Sequence, residues 1–280
     1  MDNLPPNMKK INLAIVLLDI IGSTAFVQRY GAVKAAQLFQ YHDRLARSLI
    51  YKYNGREIDR SDGFLCSFER VIDAVNFALQ YQKKVPQKTK LTCRIGIHWG
   101  TIIEVKQDDK FIAANAKRVE LEGISKNIAA RTMSLCMAGQ VLLTKEAMRV
   151  AKNRTNRHTP KSTRYVCVGL YRFKGVKKPQ QIYAVGETIQ SLQPPPGSDK
   201  VKRLGGPKYI KKRASDRELL DWCLWIYKKL FYISLIWWLI VLVHALFSPH
   251  ARVLIGLNYH EPALDNILIY ILKIFNNFKL

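Results

Sequence analysis

The sequence predicts an α+β domain, an antiparallel-rich sheet with packed helices, followed by a C-terminal helical membrane segment. Three observations lead there. Residues 11–18 are short, branched and apolar on both faces, as a covered central strand is. Downstream, helical periods alternate with pairs of short strands. After QPPPGS, residues 193–198, the composition turns basic and then uncharged and apolar.

The elements follow in order. Residues 11–18 form the first strand. From about 32 to 53 the apolar positions Val33, Ala36, Leu38, Phe39, His42, Leu45, Ala46, Leu49 and Ile50 keep the three-and-four spacing of an amphipathic helix. Tyr51 and Tyr53 at its end suit core packing better than base stacking. Asn54-Gly55 is a turn. REID and GFLCSF read as two strands joined tightly at Ser61-Asp62-Gly63. A second helix covers about 71–82, ended by a Pro/Lys loop. LTCRIGIHWGTIIEV reads as two strands broken at Gly100, with His98 packed rather than catalytic. Residues 124–136 predict a third helix, QVLLT a strand, and YRFKGVKKPQQIYAVG a final strand pair.

The formal charge of +24, from 45 Lys+Arg against 21 Asp+Glu, bears on partners rather than fold. Polyanionic small molecules, anionic lipid and nucleic acid are the classes it suits. The five cysteines are odd in number and lack CxxC spacing, which argues against a disulfide framework or zinc site and for reduced thiols. The start, MDNLPPNMKK, has no apolar run of the kind a secretory signal needs.

The division expected is a folded domain over 1–190, a Pro/Gly and basic linker over 191–222, and membrane-associated helices over 223–280. Eight lysines and arginines crowd residues 200–217. Residues 230–247 are uncharged if His244 is neutral, and about 17–25 such residues cross a bilayer. The basic residues upstream place the N-terminal domain in the cytoplasm. Attraction of that run to anionic lipid, about 1 kcal/mol per residue near the surface, accounts for it more simply than nucleic acid does. ALDNILIYILKIF could be a second crossing, an interfacial helix or a helix packed on the first; a buried soluble hairpin is the alternative for both segments.

Two carboxylates stand out. Asp19 ends the first strand beside Ile-Gly-Ser-Thr, and Asp62 lies in the turn of the strand pair. Singly, Asp19 would be a helix cap and Asp62 a turn residue. Together, at the ends of neighbouring strands, they could share hard cations, which take oxygen ligands and substrate phosphates. The Ile20 carbonyl could add a ligand, and Gly22 lets the backbone turn close to phosphates. In SKNIAARTM, Asn127 and Arg131 project from one helix face. Arg131 offers a planar set of donors to a phosphate, and Asn127 could orient a ribose.

VLLDIIGST, GREIDRSDGFLCSF, RIGIHWG, NIAARTMSLCMAGQVLLT and YRFKGVKKPQQIYAV, in this order and spacing, resemble the class III nucleotide cyclases over about residues 11–187. The resemblance implies a ferredoxin-like catalytic domain, a head-to-tail homodimer with two interfacial sites, and two divalent ions per site, Mn2+ or Mg2+. It matches Asp19 and Asp62 to the metal aspartates, Arg131 to the residue stabilising the developing charge, Asn127 to the ribose-positioning residue and Lys174 to the phosphate-binding lysine. Asp19 and Asp62 would come from one chain, Asn127 and Arg131 from the other.

The departures concern the base. The adenylate cyclases carry a lysine in a KTxGD pattern; here the segment reads EIDRSDGF, with Asp59-Arg60 in the lysine's place. The partner position, seven residues before Asn127, is Glu120. Arg60 and Glu120 are the expected base readers, with Asp59 and Glu122 as alternatives. Mismatched buried donors are costly, so changed readers mean a changed base. The shortened loop, the small chain and its membrane tail resemble the pyrimidine cyclases of bacterial Pycsar antiphage systems. That implies UTP or CTP as substrate, cyclic UMP before cyclic CMP, an inner-membrane anchor with a cytoplasmic catalytic domain, a separate cyclic-nucleotide effector and no nucleic acid partner. Adenylate or guanylate cyclase activity, or a catalytically dead nucleotide-binding module, are the alternatives.

Overall fold

The structure is a computed structural model and describes residues 4–61, 63–152 and 159–247. It divides into two units, 1–212 and 213–280.

The first unit is built on one sheet. Its strands are β1 (Met8–Ile20), β2 (Gly55–Arg60), β3 (Gly63–Phe68), β4 (Cys93–Lys106), β5 (Val119–Glu122), β6 (Val141–Thr144), β7 (Arg164–Phe173), β8 (Gln180–Gly186) and β9 (Val201–Gly205). Their spatial order is β2-β3-β1-β4-β6-β8-β7-β9, with β5 paired to the far half of β4. The helices are α1 (Ser23–Tyr30), α2 (Ala32–Lys52), α3 (Val71–Thr89), α4 (Asp109–Ala113), α5 (Ile124–Leu135) and α6 (Lys145–Lys152).

The period-2 alternation of β1 assigns its two faces. Ala14, Val16, Leu18 and Ile20 join the core formed with α2, α3 and α6. Leu13 and Ile15 face the other way, with Ile58, Ile102 and Ala129 of α5. Farther along the sheet, α5 packs Ile128 and Leu135 against Val168, Phe173 and Ile182. The central strand is thus apolar on both faces because helices cover both, as expected.

Four readings change. The segment from Cys93 to Lys106 is one continuous strand, not two broken at Gly100; Gly100 sits in register with Leu13. A Cβ there would lie 2.5 Å from Ser125 Oγ and 2.7 Å from His98 Nε2, so the glycine admits α5 rather than making a turn. The second helix continues through Pro86 to Thr89, because Val85 and Thr89 are buried; it ends where Lys90 takes a left-handed conformation. Val33 is exposed and Ala35 is buried in its stead on α2, while Tyr53 is buried but Tyr51 is 87% exposed. The basic stretch contains β9, which pairs with β7 along Phe173↔Val201 and Tyr171↔Arg203, and Val201 is fully buried.

The cysteines are free thiols among the described residues. Burial pushes Cys93 up to about 11 and Cys136 up to about 12, which keeps both protonated. His98 is buried and hydrogen-bonded through Nδ1 to Thr144 Oγ1 at 2.8 Å, a packed histidine as expected.

Helix α7 (Pro207–Phe247) follows β9. Within it, the 24 residues Leu220–Val243 have a mean hydropathy of 1.7 with none of that stretch buried, so by length and composition it could cross a membrane. The segment ALDNILIYILKIF lies outside the described residues.

Candidate active site

Asp19 lies in register between Gly63 of β3 and Arg94 of β4, on the sheet face that carries α5. Arg94 donates from Nη2 at 2.7 Å and Nε at 3.1 Å, both to Oδ2 of Asp19. Nη1 of Arg94 also reaches the Ser134 carbonyl of α5 at 3.5 Å. Among the described residues Oδ1 of Asp19 is left open. The strand runs one residue past Asp19, to Ile20, in register with Cys93. Gly22 then takes a left-handed conformation, φ 70°, which a residue with a side chain rarely adopts, and α1 starts at Ser23. No side chain caps α1, so its first N–H groups suit an anion.

A groove of about 470 Å³ opens beside Asp19. Leu17, Asp19, Asp59 and Leu65 form its sheet wall; Lys126, Asn127, Ala130 and Met133 of α5 form the other. Helix α5 lies this close because Gly96 has no side chain: a Cβ there would fall 2.2 Å from the Met133 backbone nitrogen. One chain therefore brings Asn127 to the same groove as Asp19.

The base-reading positions divide unexpectedly. Strand β2 has a bulge between Glu57 and Asp59. Glu57 takes Arg47 of α2 at 2.7 Å, whereas Ile58 packs with Leu13, Ile15 and Ala129 under α5. The extra residue puts Ile58 and Asp59 on the same face. Asp59 lines the groove, and Arg60 turns to the α2 side, where Asp43 holds it at 3.0 Å and its guanidinium lies over Phe64. The expected Arg60–Glu120 pair is thus not assembled in this chain. Arg60 is on the wrong face, and Glu120 is exposed on β5, opposite Val105. Glu122 pairs with Lys126 at 2.9 Å. Asp59 pairs with Lys117, which stands before β5, at 2.7 Å.

Arg131 does not line the groove. Its Nε is buried without a hydrogen-bond acceptor among the described residues, a costly state that an incoming acceptor would relieve. Lys174 is exposed in the β7–β8 turn, its backbone N–H donating to the Lys200 carbonyl at 2.9 Å. Strands β4, β6 and β8 lie between β1 and β7, so Lys174 and Asp19 are far apart within one chain. Asp62 lies outside the described residues.

An oxygen donor set fits a hard divalent cation. Asp19, with Oδ1 open and the Ile20 carbonyl next in the chain, offers that chemistry; among the described residues no cluster of three or more His, Cys, Asp or Glu does. Sequence reasoning missed two residues here, Arg94 and Lys117. Arg94 opens the RIGIHWG block but carries no expected role there, and strand pairing sets it on Asp19; Lys117 lies in no motif, and the β2 bulge turns Asp59 to the side where they pair.

Residues 7–187 match the adenylate and guanylate cyclase catalytic domain family. No curated protein matches the chain. Among solved structures, the adenylyl cyclase CyaB from P. aeruginosa is similar with a TM-score of 0.57 at 20% identity, over 66% of this chain and 98% of that one. Adenylate cyclases from Trypanosoma brucei, solved in their monomeric state, give 0.53 at 20% identity, over 70% and 94%. The guanylate cyclase domain of RhGC from Catenaria anguillulae, solved with GTP, gives 0.51 at 18% identity, over 64% and 98%.

Proposed function

The chain belongs to the adenylate and guanylate cyclase catalytic domain family, and from that premise we propose a membrane-anchored, homodimeric cyclase that converts a pyrimidine nucleoside triphosphate to its 3′,5′-cyclic monophosphate, cyclic UMP first. The observation that carries the cyclase activity is the groove with Asp19 on one wall and Asn127 on the other, and Arg94 on the Asp19 carboxylate.

The reaction joins the ribose 3′ oxygen to the α-phosphorus. The bond to the bridging oxygen breaks, the 3′ proton is lost, and pyrophosphate leaves with the electron pair. Asp19, the Ile20 carbonyl and Asp62 would hold divalent ions, which polarise phosphate oxygens and offset charge. Arg94, anchored by Asp19 and the Ser134 carbonyl, presents a planar cation beside the site where a triphosphate would bind. Asn127 hydrogen-bonds and orients the ribose. The orphaned Nε of Arg131 suits charge developing on the α-phosphate oxygens. Lys174 binds the distal phosphates. Three strands separate Lys174 from Asp19, and Arg131 lies outside the groove, so a second copy supplies Arg131 and Lys174, as head-to-tail pairing would allow.

Asp59 reads the base, as an acceptor, in place of the donor Arg60, because Asp59 lines the groove and Arg60 does not. Uracil N3–H suits that acceptor. Cytosine, whose amine also suits it, is the second choice. The apolar stretch Leu220–Val243 supports an anchor, with the basic residues before it on the cytoplasmic side. Resemblance to the Pycsar cyclases supports a role in antiphage defence through a separate effector.

The full-length chain, incubated with each of ATP, GTP, CTP and UTP in manganese and in magnesium, tests this. Cyclic UMP or cyclic CMP as the dominant product by mass is expected. A dominant purine product would sink the pyrimidine assignment, and silence with all four would sink the enzyme.

A further inference from the structure

Among the described residues that line the groove, Lys126 is the one cation, set against the carboxylates Asp19 and Asp59. The two ends of the groove differ. Arg94 ties Asp19 to the Ser134 carbonyl, near the C-terminus of α5. Lys126 lies eight residues earlier on that helix, about 12 Å along its axis. Packing fixes the direction of α5: Met133 meets Gly96 and Ser125 meets Gly100, so the helix runs along β4 with its N-terminus away from Asp19. Asp59 is also remote from Asp19, two strands across the sheet through β3 to β2. Lys126 donates to Glu122 at 2.9 Å, but the Glu122 side chain is 53% exposed, and such a pair is weak and readily exchanged. An ammonium has three donors, so one can serve a ligand while another keeps Glu122.

We infer that Lys126 contacts the base, donating to the acceptor that stands beside the N–H taken by Asp59, an inference that rests on the cyclase site proposed for this chain. With the phosphates at the Asp19 end and the ribose on Asn127, the base falls between Asp59 on the sheet wall and Lys126 on the helix wall. Uracil presents O4 beside N3–H, and cytosine presents N3 beside its amine. Adenine and guanine each offer an acceptor beside a donor as well. Lys126 therefore supplies affinity for the base, not choice among bases. A hydrogen bond from an ammonium is stronger than one between neutral groups, so its loss should be measurable.

The test compares full-length wild type, Lys126→Met and Lys126→Arg in manganese. It measures kcat and KM for the nucleotide that wild type prefers, and the inhibition constant of inorganic tripolyphosphate, which has no base. Lys126→Met should raise KM about tenfold, with kcat changed less than about threefold and the tripolyphosphate constant within about twofold of wild type. Lys126→Arg keeps the charge and should recover at least about threefold of the lost KM. An unchanged KM in Lys126→Met, or no recovery with arginine, overturns the inference. A tripolyphosphate constant that rises in step with KM overturns it too, since the lysine would then serve the phosphates. If wild type makes no cyclic product, equilibrium binding of the four nucleoside triphosphates and of tripolyphosphate reads the same contrast. Nucleotide binding that depends on Lys126 while tripolyphosphate binding does not would then sink the cyclase activity and keep the base contact. No nucleotide binding at all would sink both.

Discussion

Arg94 places two of its nitrogens on a single oxygen of Asp19, at 2.7 and 3.1 Å, across a register pair of neighbouring strands. The arginine neutralises the carboxylate that the site needs for a cation, and it stands where a triphosphate would need a donor. Arg94→Met should therefore act in two opposite ways. Apparent affinity for Mn2+ alone should rise, since a competing cation is gone. KM for the nucleotide should rise roughly tenfold, the cost of a lost charge-assisted contact. Manganese and nucleotide titrations of the same variant separate the two.

Asp19→Ala should lower turnover by roughly 100-fold or more in every nucleotide that wild type uses, while the thermal unfolding midpoint stays within a few degrees. Retention of wild-type turnover would remove Asp19 from the site.

Asp59 and Arg60 should part company when mutated. Arg60→Ala breaks the pair with Asp43 on the α2 side and should cost roughly 1 kcal/mol of stability without changing base preference. Asp59→Asn should change base preference with little loss of stability. Product profiles and urea unfolding of the two variants check this.

Gly96→Ala places a methyl against the backbone of Met133 and Thr132. It should destabilise the fold by about 1–3 kcal/mol and move α5, lowering activity through Asn127 and Arg131 together. Denaturant midpoints and kcat report the two effects.

Burial pushes His98 down to about 4, from an ordinary value of 6.5. The unfolded chain then binds a proton between pH 6.5 and 4 that the folded chain does not, so stability falls as pH drops through that window. The full effect is about 3 kcal/mol. His42, also lowered by burial despite its neighbour Asp43, adds in the same direction. Urea midpoints at pH 7 and 4.5 should differ, and His98→Gln should flatten the difference.

Much of the fold is legible in the chain. Residues 11–18 read as a strand covered on both sides, and β1 carries core residues on both faces. The helical spacing from Ala32 yields α2 almost to the residue. Short elements escaped notice. Strand β5 is VELE, four residues with two exposed glutamates and no apolar run like the one that marks β6, and α4 has five residues, too few for a helical period to emerge. Gly100 read as a turn because a glycine that admits a packed helix and one that bends a strand look alike in sequence.

By itself, the sequence determined the family, the two-faced central strand, the carboxylate at its end and the apolar stretch beyond the basic run, since each is written in local pattern or in ordered motifs. Tertiary structure alone decided which of Asp59 and Arg60 faces the groove. Side chains alternate along a strand, so one unpaired residue at Ile58 reverses the face of everything after it. Whether a bulge forms depends on how β2 pairs with β3 and on the burial of Ile58 under α5, and neither is a property of the segment EIDR.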